Sequence, residues 1–174
     1  MPQKAEVFSF VCNCCGKEHV GIPAYGYDMP VDYFDIPVMD RGKRAVLGTD
    51  TCVIDRERYY IKGILDIPIV GYDEPITWGL WAKVTEADYA QYRKLLGLDG
   101  SAFQATGKID VTMPGYNELD KAGQTYALRC DLVGQPVGLR PRILLHPVSH
   151  RLFVDCSQGV SPERASELIA LMPH

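Results

Sequence analysis

Two alternating runs separated by a short turn constrain this chain more than any other feature. Over 59–70, Tyr59, Ile61, Leu65, Ile67 and Ile69 fall on one side of an extended chain, while Tyr60, Lys62 and Asp66 fall on the other. That is the period of a half-buried strand, and Pro68, lacking an N–H for the ladder, predicts that its last part lies at a sheet edge. Gly71, Asp73 and Pro75 then supply a turn, and 76–84 reads as the next strand, with Trp78, Leu80, Ala82 and Val84 sharing a face. The two runs are predicted to form an antiparallel pair.

Further strands are predicted over 7–11, 52–55, 103–111, 126–133, 142–146 and 152–156. Tyr126, Leu128, Cys130 and Leu132 give the cleanest alternation among them. One helix is expected after Thr85, a natural cap, with Tyr89, Tyr92 and Leu96 at helical spacing and Gly97 as its stop. A second is predicted over 161–172: Ser161 caps it, Pro162 takes the first position, Ala165, Leu168, Ile169 and Met172 form an apolar stripe, and Pro173 ends it. Strands outnumber helices, and most follow one another too closely for helical crossovers. The predicted fold class is therefore α+β: a single domain over 1–174, built on a largely antiparallel sheet with few helices. The stretch 21–50, rich in Pro, Gly and Asp, reads as a long ordered loop.

With 47% apolar and 23% charged residues, the 174-residue chain has the composition of a folded domain rather than a disordered one. A net charge of -4 argues against nucleic acid, which needs clustered cations to displace counterions. Arg41, Lys43 and Arg44, and then Arg140 and Arg142, are short basic groups that read as solvated loop or strand edge. No apolar run is long enough to span a membrane, and residues 1–6 lack a signal-peptide pattern. A cytoplasmic location is expected, where the six cysteines stay reduced and metal binding or burial accounts for them better than disulfides.

The local constellation that implies a specific chemistry is Phe10-Val11-Cys12-Asn13-Cys14-Cys15-Gly16-Lys17-Glu18-His19. Two cysteines flanking a tight turn, with glycine directly after the second, aim two thiolates at one point, so 10–19 reads as a zinc knuckle. His19 is near enough to be a third ligand, whereas Cys14, between the pair, is expected to face away. A second cysteine pair is absent, so the remaining ligand must come from a distance. Cys52, beside Asp50, stands first, followed by His150 and His146. A closed structural zinc site held by Cys12, Cys15, His19 and Cys52 is expected, because no helix carries two histidines and a base. A redox role for Cys12 and Cys15 is disfavoured, since Gly16, Gly21 and Pro23 follow where a helix would have to begin.

The run 146–157 holds His146, His150, Asp155, Cys156 and Ser157, the residue types of a hydrolase, but no nucleophile elbow. A loop histidine and an edge-strand cysteine are the expected identities, and Cys130 is expected in the core. Trp78 has the inward phase. Trp81 has the opposite one and is either covered by a helix or exposed for a partner.

These residues together carry a resemblance. The Phe10–His19 segment, Asp50-Thr51-Cys52-Val53-Ile54-Asp55, the Tyr60–Pro68 strand, Trp78-Gly79-Leu80-Trp81, Met113-Pro114-Gly115-Tyr116, Gly138-Leu139-Arg140-Pro141 and Gly159-Val160-Ser161 resemble an uncharacterised bacterial group, the domain of unknown function 2199 family. The likeness implies no activity, but it draws attention to Cys12, Cys15, His19 and Cys52. The chain departs from the family pattern around 146–155, where only His150 matches and Arg151 stands in place of a proline. The expected function is a zinc-stapled protein-interaction module with a protein partner. The rivals are a hydrolase using an open zinc position near His19, Cys52 and Asp50, or an immunity or accessory protein that neutralises a partner.

Overall fold

A computed structural model describes residues 7–116 and 124–172. Residues 1–6 and Pro173, read above for a signal peptide and a helix stop, lie outside them. The chain opens with a hairpin, β1 (Ser9–Val11) and β2 (Glu18–Val20), and then β3 (Tyr25–Gly26). Two 3-10 turns (Val31–Tyr33 and Val38–Asp40) lead through α1 (Arg41–Arg44) into β4 (Ala45–Leu47), β5 (Thr51–Ile54), β6 (Arg58–Ile67) and β7 (Ile76–Val84). After α2 (Glu86–Leu95) come β8 (Gln104–Ile109), β9 (Arg129–Val133) and β10 (Arg142–Leu145), and the chain closes with α3 (Arg151–Gln158) and α4 (Pro162–Ala170).

The two founding runs form the expected antiparallel pair, from Tyr59 opposite Val84 to Ile67 opposite Ile76. Both strands are long enough to serve several neighbours. β7 also pairs with β8 and, farther along, with β3. β6 also pairs with β5 and, through Arg142 opposite Ile64, with β10. Since β8 pairs with β9 and β9 with β10, the strands β6-β7-β8-β9-β10 close on themselves into a barrel-like sheet. Closure is the barrel solution to unpaired strand edges. Ile61, Leu65, Trp78, Leu80, Ala82, Ile109, Cys130, Leu132 and Ile143 are buried, and the register carries them to one face, the interior. Among the described residues, no helix is long and apolar enough to cross a membrane.

Several expectations require correction. The stretch 21–50 is not simply a loop, because it contains β3, both 3-10 turns, α1 and β4. It straps the outer face of β6 and β7, with Tyr27 N–H donating to the Gly79 carbonyl (3.0 Å) and Trp81 Nε1 donating to the Tyr27 carbonyl (2.8 Å). Trp81 is thus covered by this strap rather than by a helix or a partner, and Tyr60 and Lys62, expected to face solvent, are buried beneath it. The predicted strand 152–156 is the helix α3. A five-residue apolar alternation does not distinguish strand from helix, and here Leu152 and Asp155 share the buried face while Val154 points outward. Cys156 is accordingly a helix residue, not one on an edge strand. Ala127, at φ 67°, places a turn where the strand over 126–133 was expected to begin, so β9 starts only at Arg129.

The helix termini follow their capping residues. Thr85 Oγ1 accepts from Asp88 N–H at 3.1 Å, and Ser161 Oγ accepts from Arg164 N–H at 3.2 Å. Ala165, Leu168 and Ile169 bury the inner stripe of α4, which packs against β1 and so holds the N-terminal hairpin to the body of the protein.

Candidate functional site

The knuckle is a hairpin turn with its ends fixed by strands. β1 and β2 pair with Phe10 opposite His19. The turn closes through Cys12 N–H to the Lys17 carbonyl (2.9 Å) and Gly16 N–H to the Cys12 carbonyl (2.8 Å). Gly16 sits at φ 67°, a left-handed conformation that a side chain would disfavour, which is why glycine follows the second cysteine. The Phe10 ring stacks on His19, centroids 5.6 Å apart and planes 20° apart, and so orients the imidazole along the turn.

The thiols of Cys12, Cys14 and Cys15 all lie within 4.8 Å of one another, a cluster that could hold a metal ion. Cys14 does not face away. Its Sγ is 2.8 Å from that of Cys12. His19 Nε2 is 3.2 Å from Cys15 Sγ. The hydrogen bond from Cys14, followed by the backbone N–H of Cys15, lowers the Cys12 thiol to about 6. Donating that hydrogen bond raises Cys14 to about 11. The two thiols therefore titrate as a coupled pair. Cys12 itself is buried, while Cys14 and Cys15 are exposed beside a groove of about 370 Å³ that Phe10, His19 and Ile22 also line.

The distant candidates lie elsewhere. Cys52 is fully buried in β5, opposite Tyr60, and is not part of the thiol cluster. Burial, followed by the charge of Asp110, pushes it up to about 12, so it stays a neutral core thiol. Cys130 is likewise buried, as expected. His146 Nε2 contacts Asp131 Oδ1 at 2.7 Å. His150 is no loop histidine. It caps α3, its Nδ1 accepting the Leu152 N–H at 3.1 Å. Asp155 is buried, accepting from Tyr116 Oη and Arg151 Nε, both at 2.7 Å.

Sequence reasoning missed a second polar cluster, centred on Asp32 and Asp110 beneath the strap. Asp32 Oδ2 accepts from Tyr60 Oη at 2.6 Å and lies 3.5 Å from Lys83 Nζ and 3.6 Å from Arg58, while Oδ1 accepts from Tyr126 Oη at 3.0 Å. Asp110 accepts the Asp32 N–H at 3.2 Å through its side chain and the Val31 N–H at 2.9 Å through its carbonyl. Burial opposes the charge of Asp32, but the two phenols and the Lys83 and Arg58 cations outweigh it and hold this carboxyl below its usual range. Burial, together with the charge of Asp32, pushes Asp110 up to about 6. One signal was available: Asp110 interrupts the apolar run Ile109-Asp110-Val111, where a strand end leads into the interior.

The raised Asp110 fixes a pH dependence. A carboxyl that binds its proton more tightly when folded contributes stability that is present below pH ~4 and lost as the pH rises through about 6. Relative to an Asp110→Asn variant, the protein is expected to lose about 1–2 kcal/mol between pH 4 and pH 7, allowing for solvent screening. Urea unfolding of both proteins at several pH values measures this, and a difference that stays flat across that range would refute it.

Comparison with known families gives a match over residues 11–160 to the family described as "Uncharacterized protein conserved in bacteria (DUF2199)". No curated protein and no solved structure matches the chain.

Proposed function

The chain belongs to the DUF2199 family, and we propose that this member is a non-catalytic interaction module whose N-terminal hairpin is stapled by zinc. The observation that carries the reading is the convergence of Cys12, Cys14 and Cys15 within 4.8 Å, with His19 Nε2 3.2 Å from Cys15. Three thiols and an imidazole are the donor set of a closed structural zinc site, and sulfur ligands favour zinc over the harder divalent cations. With His19 as the fourth donor in this reading, no position would remain for a reactive water, which weighs against the hydrolase reading. Cys14 thus takes the place that the sequence assigned to Cys52. Entry of the metal requires the Cys12–Cys14 pair to open from 2.8 Å to the roughly 3.8 Å between sulfurs on one tetrahedral zinc. The exposure of Cys14 permits that rotation.

The partner-facing surface in this reading is the outward side of the same hairpin, where Val11 and Val20 stand well exposed. Fixing the turn would hold these side chains in one arrangement, which lowers the ordering cost of binding a protein partner.

Protein purified without added metal is expected to carry one zinc per chain, measured by elemental analysis. Cys12→Ser and His19→Ala are each expected to reduce that content severalfold, and Cys52→Ser to leave it unchanged. Absence of stoichiometric metal, with folding indifferent to a chelator, would overturn the zinc assignment. X-ray absorption showing three protein ligands and a water would favour the hydrolase instead.

A further inference from the structure

A second cavity, of about 420 Å³, lies far along the chain from the knuckle, between the C-terminal end of α2 and the loop joining β9 to β10. That volume falls in the range of small-molecule sites. Its walls are built rather than accidental. Gly134 N–H donates to the Phe103 carbonyl at 2.7 Å, Phe103 N–H donates to the Gly100 carbonyl at 2.8 Å, and Gln135 Nε2 donates to the Arg140 carbonyl. The backbones at Gly100 and Gly134 touch so closely that no Cβ fits between them. The mouth is therefore preformed, which spares a ligand the cost of ordering it.

The lining has two characters. Leu98, Val137 and Leu139 stand more than half exposed around the mouth, above Phe103 and Leu95, an apolar group gathered in one place rather than scattered. At one side lie Arg140, Asp50 and Tyr92. Arg140 commits Nε to Asp50 Oδ1, leaving its two terminal NH₂ groups without an ion-pair partner among the described residues. Tyr92 adds a phenol hydroxyl, which can donate as well as accept. The terminal NH₂ groups of Arg140 are thus charged donors in a lining that is otherwise mainly apolar.

We propose that this cavity binds a small amphiphilic carboxylate, an apolar chain whose acid group meets Arg140 and whose tail lies against Leu98, Val137 and Leu139. The site stands on different residues from the metal-stapled reading and is independent of it. The test is calorimetric titration of the full-length protein with decanoate, and with decylamine, decanol and a peptide ending in a free leucine carboxylate as comparisons. Decanoate is expected to bind, decanol about tenfold more weakly, and decylamine not measurably, since a hydrogen bond to a charged group carries roughly that factor. Arg140→Gln and, at an exposed position that leaves folding intact, Val137→Asp are each expected to weaken decanoate by about tenfold or more. Equal binding of decanoate with decanol or decylamine would overturn the proposal. So would decanoate affinity unchanged in Val137→Asp, or binding of the peptide alone.

Discussion

Asp32→Ala is expected to lower folding stability by about 3 kcal/mol, the cost of stranding buried charges rather than of losing contact area. Tyr60, Tyr126, Lys83 and Arg58 all converge on this one carboxylate. Truncation leaves the fully buried Tyr60 hydroxyl without an acceptor and two cations facing one another. Lys83 and Arg58 retain partial solvent access, which keeps the loss toward the lower end of the range for broken buried pairs. Because Asp32 anchors the strap that covers Trp81, tryptophan fluorescence during guanidinium unfolding reports the loss directly. Asp32→Asn, which keeps an acceptor for the phenols but removes the charge, is expected to fall between the alanine variant and the natural protein. A loss under about 1 kcal/mol for alanine, the size of a single ordinary hydrogen bond, would show that the cluster does not anchor the strap.

Gly134→Ala is expected to be comparably damaging, at about 3 kcal/mol or more, for a purely steric reason. The added Cβ would overlap the carbonyl oxygen of Gly100 and stand 2.9 Å from Phe103 Cβ. Backbone cannot swing aside as a side chain can, so the loops would have to part. Parting them breaks the hydrogen bond from Gly134 N–H to the Phe103 carbonyl. The control is Gly42→Ala, where nothing lies within 4 Å of the new atom. Thermal unfolding should separate the two variants clearly, and similar melting temperatures would contradict the close packing of these loops.

The ease of reading each feature follows the distance over which it is decided. The pairing of β6 with β7 was legible because each strand declares its faces by alternation and a short turn leaves them no other neighbour. The knuckle was legible for the same reason, since its residues lie within one hairpin. Orientation inside that turn was not. Whether Cys14 faces Cys12 depends on backbone angles that residue types do not specify. Cys52 beside Asp50 looked like a distant ligand, yet pairing with Tyr60 buries it under the strap. The segment 152–156 failed at the opposite extreme. It is so short that a helix and a strand both satisfy its pattern, and only packing of Leu152 and Asp155 chose between them.

The sequence by itself determined the α+β class, the central antiparallel pair, the capped helices after Thr85 and Ser161, and the cysteine turn. Each is written in neighbouring residues through spacing, capping or turn chemistry. Only the tertiary structure decided that five strands close on one another, that 21–50 straps the outer face, and that Asp32 meets Asp110. The last two residues are 78 positions apart. A lone aspartate in a proline-rich stretch has the same sequence signature whether it turns the chain in water or holds a proton balance in the interior. What separates the two is desolvation by segments remote in the chain, a property of the folded whole.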